Sequence, residues 1–322
     1  MEEHAGMTQE VAERIRREVE KVIIGQRELC DLLMVCLFAG GHALIEGVPG
    51  LGKTLAARTL ARTVDASFGR IQFTPDIMPA DITGTNVYDF STRTFHLKKG
   101  PVFTQFLLAD EINRTPPKTQ SALLEVMEER RVTIDGTNHA LDEPFMVFAT
   151  QNPIEYEGTY PLPEAQLDRF MMKLLVIYPG IEAEEALLRN YIGGFDAADL
   201  NTAGVEVVAT PESVMACRRE VSQTYVDSAV LRYLAEVVES TRKTRNLVLG
   251  ASPRASVVLL KASRALALME GRNFVIPEDI QYLAPHVLRH RVVLSPDAEL
   301  TGVTADMVIA QALSGVRVPI RM

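Results

Sequence analysis

The sequence predicts a doubly wound α/β sheet followed by a small all-helical domain. Five short apolar runs, separated in several places by helical segments, are typical of buried parallel strands, at residues 43–45, 71–73, 106–109, 146–150 and 174–177. Polar or charged residues directly follow three of these runs. Alternating strands and helices indicate a parallel sheet that is covered on both faces. Such a sheet binds ligands beyond the carboxyl ends of its strands.

Two helices are predicted before the first strand. Between residues 8 and 23, apolar side chains recur at helical spacing among charged ones, at Val11, Ile15, Val19, Val22 and Ile23. A second helix is expected over residues 26–38. The apolar stretch at residues 32–45 is too short to cross a bilayer and contains two glycines and a histidine, so no membrane span is predicted.

The domain boundary is predicted between Pro179 and Pro211. This segment holds a short acidic helix, then Gly193-Gly194, then a polar stretch. Beyond it, three apolar faces at helical spacing predict a domain of helices alone, at Val230, Leu231, Leu234, Val237 and Val238, at Val258, Ala262, Ala265, Leu266 and Met269, and at Ile280, Leu283, Ala284, Val287 and Leu288. We therefore expect an α/β domain at residues 1–180, a linker at 181–210 and a helical domain at 211–322.

Composition and charge disfavour several classes of function. With 47% hydrophobic and 23% charged residues, the chain has an ordinary globular composition. Its net charge of −9 makes a broad basic surface for nucleic acid unexpected. The three cysteines show no paired spacing, which favours a reducing cytoplasm over a disulfide framework or a zinc site. The start, Met1-Glu2-Glu3-His4, lacks the basic residues and apolar core of a signal peptide.

A glycine-rich segment follows the first predicted strand and reads Gly47-Val48-Pro49-Gly50-Leu51-Gly52-Lys53-Thr54. It matches the phosphate-loop pattern G-x-x-x-x-G-K-[ST], with a strand before it and a helix after it. Glycines let backbone N–H groups approach phosphates closely, and a helix N-terminus favours negative charge. Lys53 is expected to reach the outer phosphates and the Thr54 hydroxyl to ligate Mg²⁺. With Leu55 as the last contact, the segment predicts ATP and Mg²⁺ as cofactors.

The strand at residues 106–109 ends in two acids, Asp110 and Glu111. Asp110 is expected to hold the Mg²⁺ shell, and Glu111 to act as general base on the attacking water. Such a pair can also simply cap the next turn, but a phosphate loop in the same chain favours catalysis. Asn152, after the strand at 146–150, is a candidate for orienting that water or sensing the γ-phosphate. Its alternative is a turn residue before Pro153, a role that suits asparagine.

Several arginines are candidates for completing the site from a neighbouring subunit, where a guanidinium can stabilise charge on the γ-phosphate. Arg169, just before the last strand, is the leading one, although it can also be a surface residue paired with Asp168 or Glu164. The other candidates are Arg114, Arg130 and Arg131.

Arg254 is a separate candidate for contact with phosphates. It follows Ser252-Pro253, which is a good helix start. The alternative is an exposed arginine at a helix start, where the helix dipole disfavours a cation.

These motifs appear in the order used by AAA+ ATPases, and more narrowly the chain resembles the MoxR type. The resemblance covers nearly the whole chain, and the strings that carry it are Val22-Ile23-Ile24-Gly25-Gln26, Glu46-Gly47-Val48-Pro49-Gly50, Ala109-Asp110-Glu111-Ile112-Asn113-Arg114, Ala149-Thr150-Gln151-Asn152-Pro153, Pro163-Glu164-Ala165-Gln166-Leu167-Asp168-Arg169-Phe170 and Ser252-Pro253-Arg254-Ala255.

The resemblance implies a sheet order of 5-1-4-3-2 and a four-helix lid. It implies that Ile24 and Gly25 border the adenine, that Asn152 is sensor 1 and that Arg254 is sensor 2. Arg169 would act across the interface of a ring of identical subunits, expected to be a hexamer. In related clades the lid can be displaced, so that the equivalent arginine acts on a neighbour's nucleotide. The resemblance therefore leaves open whether Arg254 acts on the nucleotide of its own subunit or on that of a neighbour.

Two inserted hairpins are predicted, near residues 85–97 and 132–145. The first alternates like a hairpin, and the second contains Asp135-Gly136, a good turn signal. Related ATPases use such hairpins to engage protein substrates, although each could equally be a simple surface hairpin.

The favoured function is an ATP-driven remodelling motor or chaperone. MoxR-type proteins commonly work with a partner that carries a von Willebrand factor A domain. The alternatives are a nucleotide-gated assembly switch with little turnover, which an intact Glu111 disfavours, and a DNA-directed AAA+ protein, which the acidic charge disfavours.

Overall fold

The computed structural model describes residues 6–153 and 158–319. The start, Met1 to His4, lies outside the described residues.

The described chain forms helices and strands in the expected alternation. The helices are α1 (Met7–Glu20), α2 (Arg27–Ala39), α3 (Lys53–Thr63), α4 (Pro79–Thr83), α5 (Pro117–Glu129), α6 (Glu164–Leu167), α7 (Ile181–Ile192), α8 (Pro211–Gln223), α9 (Ser228–Thr241), α10 (Pro253–Met269), α11 (Pro277–Leu288), α12 (Pro296–Leu300) and α13 (Ala305–Gly315). The strands are β1 (Ala43–Glu46), β2 (Phe68–Gln72), β3 (Gly84–Asp89), β4 (Thr94–Lys99), β5 (Phe106–Asp110), β6 (Arg131–Ile134), β7 (Thr137–Ala140), β8 (Met146–Gln151), β9 (Met172–Leu175), β10 (Leu247–Leu249) and β11 (Val293–Leu294).

Five strands form a parallel sheet in the order β2-β5-β8-β1-β9. Numbered among themselves along the chain, these strands read 5-1-4-3-2 from the β9 edge, so the predicted order is confirmed. Side chains alternate between two cores: Leu44 of β1 faces one, and its neighbours Ala43 and Ile45 face the other. The sheet is therefore buried on both faces, as the continuous apolar runs indicate.

The two edge strands are displaced from their predicted positions. β2 begins at Phe68, three residues before the predicted run, and ends at Gln72. At an edge its first residues are partly exposed, so no continuous apolar run marks it. β9 ends at Leu175, and Ile177, which the apolar run included, is 75% exposed.

The helical part shares a core with one face of the sheet. A single cluster of buried apolar side chains joins α1, α2 and α3 to α8, α9, α10 and α11. Polar contacts reinforce it: Arg218 Nε on α8 donates to the carbonyl of Leu37 at 2.9 Å, and Thr8 Oγ1 donates to Glu220 Oε2 at 2.6 Å. The antiparallel pair of β10 with β11, which the sequence pattern does not reveal, lies among these helices.

Antiparallel hairpins stand at both predicted places, β3 with β4 and β6 with β7. Between β6 and β7, Asp135 and Gly136 both have positive φ, 47° and 80°, as a two-residue hairpin turn of this kind requires. The hairpins touch through Asn86 Nδ2, which donates to Asp135 Oδ2 at 2.7 Å. Within the described residues, no helix combines the length and the apolar character needed to cross a membrane.

Candidate active site

A cavity of about 480 Å³ opens beyond the carboxyl ends of β1, β5 and β8. This is the place at which a parallel sheet of this kind binds its ligand. Its walls come from the turn after α1, the glycine-rich loop, the strand ends and the helix α7. The expected phosphate-loop and acidic residues therefore meet in one site.

The glycine-rich loop connects β1 to α3, which begins at Lys53. Gly52 has a φ of 75°, a left-handed conformation that glycine adopts without steric cost. Gly47 lies against the backbone after β9, where an added Cβ would come within 2.8 Å of the carbonyl oxygen of Val176. The residues from Pro49 to Leu55 line the cavity, whereas Gly47 and Val48 are not among its lining residues. This loop can surround an anion at the N-terminus of α3.

Lys53 reaches back across the loop. Its ammonium donates to the carbonyl of Gly47 and lies 3.5 Å from the carbonyl oxygen of Gln151. Burial lowers the pKa of Lys53, and the carboxylates of Asp110, Glu111 and Glu46 oppose that effect. A half-buried cation faced by these acids suits a role as counter-charge to phosphate.

Asp110 is fixed through both of its carboxylate oxygens. Thr150 Oγ1 on β8 donates to Oδ1 at 2.6 Å, and Arg70 Nη2 on β2 donates to Oδ2 at 2.7 Å. Neither partner was predicted. Thr150 is the last buried residue of β8, which lies next to β5. A polar residue at the end of a buried strand is the sequence signal by which Thr150 could have been predicted as a site residue.

Glu111 sits in a strained backbone position immediately after β5. Its φ and ψ of 57° and 50° are left-handed, which is uncommon for a residue other than glycine. Its amide donates to Thr150 Oγ1 at 2.9 Å, which helps to hold the turn. Such strain is found at functional sites, where the surroundings enforce it.

Two further side chains hold the Glu111 carboxylate. Gln72 Nε2, at the end of β2, donates to Oε2 at 2.8 Å, and Arg114 Nη1 donates to the same oxygen at 3.0 Å. Gln72 was not predicted as a site residue, although it too is a polar residue at the end of a strand. Arg114, a candidate finger by sequence, instead lies beside the acid of its own chain.

The remaining cavity wall combines polar and apolar residues. Asn152 is buried after β8 and lines the cavity together with Thr150. Ile24 also lines it, but Gly25 does not: an added Cβ at Gly25 would meet Ala183 Cβ at 2.5 Å, so this glycine packs against α7. Apolar wall residues that the sequence pattern did not reveal are Val22, Ile23, Pro179, Leu187 and Tyr191. An apolar wall of this kind suits the face of a nucleobase.

The two arginines predicted to touch phosphate lie outside this cavity. Arg169 Nη1 donates to the carbonyl of Leu124 at 2.6 Å and lies 3.0 Å from Glu128 Oε2. Arg254 is 53% exposed and lies 3.5 Å from Asp168 Oδ2 and 3.8 Å from Glu128 Oε1. Both therefore belong to one surface near the end of α5, outside the cavity that the phosphate loop lines.

The other candidate arginines also have partners elsewhere. Arg130 Nη2 donates to the carbonyl of Gly40 at 3.0 Å, and Arg131 Nη2 donates to Glu129 Oε2 at 2.7 Å. Neither residue lines the cavity.

We expect Lys53→Ala to weaken the binding of ATP by roughly 10- to 100-fold, since a hydrogen bond from a charged group contributes about 1.5–3 kcal/mol. Titration of the purified chain with a fluorescent ATP analogue measures this. Lys243→Ala is the matched control, because Lys243 is an exposed lysine on a distant part of the chain. Equal affinity of all three proteins would remove Lys53 from the binding site.

Two family descriptions match this chain. The "ATPase family associated with various cellular activities (AAA)" matches residues 42–172, which include the phosphate loop, both acids and Arg169. The "AAA lid domain" matches residues 239–312, which include Arg254.

Individual relatives are similar over almost the whole chain. "Uncharacterized protein YeaC" of Bacillus subtilis is 46% identical over 303 residues, which are 94% of this chain and 93% of the relative. "Chaperone MoxR1" of Mycobacterium tuberculosis is 45% identical over 317 residues, 95% of this chain and 82% of the relative. The crystal structure of a candidate ATPase from Cytophaga hutchinsonii is 41% identical, has a TM-score of 0.89, and matches 97% of this chain and 96% of that chain.

Proposed function

We propose that this chain, which belongs to the MoxR type of AAA+ ATPases, couples the ATP hydrolysis of that family to the remodelling of protein clients, as a chaperone-like motor. The observation that carries the proposal is that Lys53, Asp110 and Glu111 line one cavity beyond the carboxyl ends of the sheet strands. Nucleotide binding follows from the family, and the roles of the individual residues are part of the proposal.

In the proposed reaction, the phosphate loop and Lys53 bind the triphosphate. Thr54 and Asp110 would hold Mg²⁺, since hydroxyl and carboxylate oxygens are the donors that this cation takes. Bound Mg²⁺ would supply charge neutralisation at the phosphate oxygens. Thr150 keeps the Asp110 carboxylate oriented through its 2.6 Å hydrogen bond.

Glu111 would take the proton of the attacking water. Gln72 and Arg114 orient its carboxylate through Oε2, and Asn152 would help to place the water from the end of β8. A positioned general base contributes roughly 10²- to 10⁴-fold to the rate.

Completion of the site requires a second copy of the chain. Arg169 and Arg254 lie on a surface away from their own cavity, and we propose that both act on the nucleotide of a neighbouring subunit. Their position outside the cavity therefore supports an assembly of identical subunits, which we propose to be a ring. The number of six comes from the resemblance alone, as does a partner with a von Willebrand factor A domain.

The β3–β4 hairpin is the proposed contact with protein clients. Phe90 and Phe95 are 86% and 70% exposed, and their rings each lie 5.1 Å from the ring of Tyr88. A group of exposed apolar side chains of this kind marks an interaction site. A relative named as a chaperone, MoxR1, is consistent with such a role.

Replacing Phe90 and Phe95 together by serine should abolish the stimulation of ATP hydrolysis by a client protein, because these rings supply the apolar contact. Phosphate release with and without client measures the effect. Leu300→Ser is the matched control, since Leu300 is 86% exposed but lies on α12. Undiminished stimulation of the double variant would exclude the hairpin as the client contact.

A trap that binds but does not hydrolyse ATP tests the function as a whole. Tagged Glu111→Gln protein should retain a protein client in ATP, and that client should be lost in ADP or when Phe90 and Phe95 are also replaced.

Two other outcomes would contradict this function. Retention of nucleic acid in place of a protein client, or hydrolysis stimulated by DNA, would show that the chain is a DNA-directed ATPase. Equal phosphate release by the unaltered chain and Glu111→Gln, with and without partner, would show a switch with little turnover and not a motor.

A further inference from the structure

We propose that Arg291 of the helical lid is a positioning residue for Arg169, because it holds the chain segment from which Arg169 projects. The proposal rests on the proposed function, in which Arg169 reaches the nucleotide of a neighbouring subunit. Arg291 stands between α11 and β11, within the region that matches the AAA lid.

The guanidinium of Arg291 donates most of its hydrogen bonds to one short segment of the α/β domain. Its Nε donates to Asp168 Oδ1 at 2.6 Å, and its Nη2 donates to the carbonyls of Asp168 and Phe170 at 3.2 and 2.6 Å. Its Nη1 donates to the carbonyl of Met171 at 3.1 Å and to that of Val287 on α11. The residues on both sides of Arg169 are thus bonded to one lid side chain.

The neighbouring lid residues extend the same contact. His290 Nε2 lies 3.0 Å from the carbonyl oxygen of Phe170, and burial lowers the pKa of this imidazole well below its usual value, so it is neutral. Arg289 Nη1 donates to the carbonyl of Lys173 on β9 at 3.1 Å. A lid movement would therefore displace the backbone that carries Arg169.

The Asp168 carboxylate extends the link to the second arginine. Its Oδ1 accepts the hydrogen bond from Arg291 Nε, and its Oδ2 lies 3.5 Å from Arg254 Nε. Glu128 in turn lies 3.8 Å from Arg254 and 3.0 Å from Arg169. One connected set of charges thus joins the lid to both arginines that are proposed to act on the neighbour.

Arginine suits this position for a chemical reason. Its side chain is 2% exposed, and a planar guanidinium presents five donors in a fixed arrangement that can reach a carboxylate and several carbonyls together. A lysine keeps the positive charge but brings only three donors from a single nitrogen. Arg291→Lys therefore keeps the charge of the contact while loosening its geometry.

The test is a double-variant cycle on the full chain, measuring kcat and KM for ATP. Arg291→Lys should lower kcat by roughly 10- to 100-fold, since a displacement of about 1 Å at a reacting group can cost that much, and should leave KM within about twofold. In an Arg169→Ala background the same change should lower kcat no further, because the residue that it positions is gone.

Arg272→Lys is the matched control. Arg272 makes a two-pronged pair with Asp279, at 2.6 and 2.8 Å, within the lid. This variant loosens an arginine–aspartate pair that does not touch the segment at Asp168, so its kcat should match that of the unaltered chain.

Several outcomes would overturn the inference. Equal losses in both backgrounds, a raised KM for ATP, or the same loss in Arg272→Lys would show that Arg291 does not act by positioning Arg169. If Arg291→Lys does not fold, Asp168→Asn, which leaves every backbone acceptor in place, replaces it in the same cycle. Because Asp168 also lies 3.5 Å from Arg254, that cycle is run in an Arg254→Ala background. Should Arg169→Ala alone leave kcat unchanged, the proposed role of Arg169 fails; a loss in Arg169→Ala without a loss in Arg291→Lys overturns this inference alone.

Discussion

A Glu111→Gln variant should bind ATP with unchanged affinity and hydrolyse it roughly 10²- to 10⁴-fold more slowly. The amide keeps the size of the side chain and can still accept the hydrogen bond from Gln72, which is 2.8 Å long in the unaltered chain. It cannot take a proton from water, so the loss falls on turnover and not on binding. Phosphate release and titration with a fluorescent ATP analogue measure the two quantities separately.

Glu236→Gln is the matched control for this change. Glu236 is an acid on α9 that pairs with Arg232 at 2.9 Å, away from the cavity, and its variant should turn over ATP at the unaltered rate. If Glu111→Gln hydrolysed ATP as fast as this control, another group would have to activate the water, and Glu111 would lose its assigned role.

Arg169→Ala should lower kcat by about 10³-fold or more, as is typical when an arginine supplied by a neighbour is removed. The nucleotide affinity should change much less than kcat, because the phosphate loop and Lys53, which line the cavity and are proposed to bind the triphosphate, stay intact. A shift in KM alone, with kcat retained, would contradict the assignment.

Mixing two inactive variants tests whether Arg169 acts between subunits. Arg169→Ala subunits have an intact phosphate loop, and Lys53→Ala subunits have an intact Arg169. In a mixed ring the second would serve the nucleotide of the first, so mixing should restore hydrolysis that neither variant shows alone. Arg130→Ala and Arg131→Ala, tested in the same way, separate Arg169 from these two candidates, because only the variant that lacks the arginine acting between subunits should be inactive alone and restored by mixing.

Much of the cavity could be predicted because its parts are short and contiguous in the chain. The phosphate loop lies between a strand and a helix, and Asp110 and Glu111 end an apolar run. The glycines, the lysine and the carboxylates at these positions are recognisable because their function depends on their spacing along a short stretch of chain. The central strands were predicted for the same reason, since burial on both faces makes them continuously apolar.

The apolar wall and the partners of the acids could not be predicted in this way. Gln72 meets Glu111 only because β2 lies beside β5 in the sheet, and Tyr191 reaches the cavity only because α7 packs over it. No local periodicity distinguishes these residues from other polar strand ends or from the apolar face of an ordinary helix.

The sequence by itself determined the phosphate loop, the two acids after β5 and the alternation of strands and helices. The tertiary structure alone decided that Arg169 and Arg254 lie away from their own cavity and that Arg291 holds the segment that carries Arg169. The physical reason is range: Arg291 and Asp168 are separated by 123 positions in the chain. Such a contact forms only when the lid folds back onto the sheet, and it leaves no mark in the spacing of either segment.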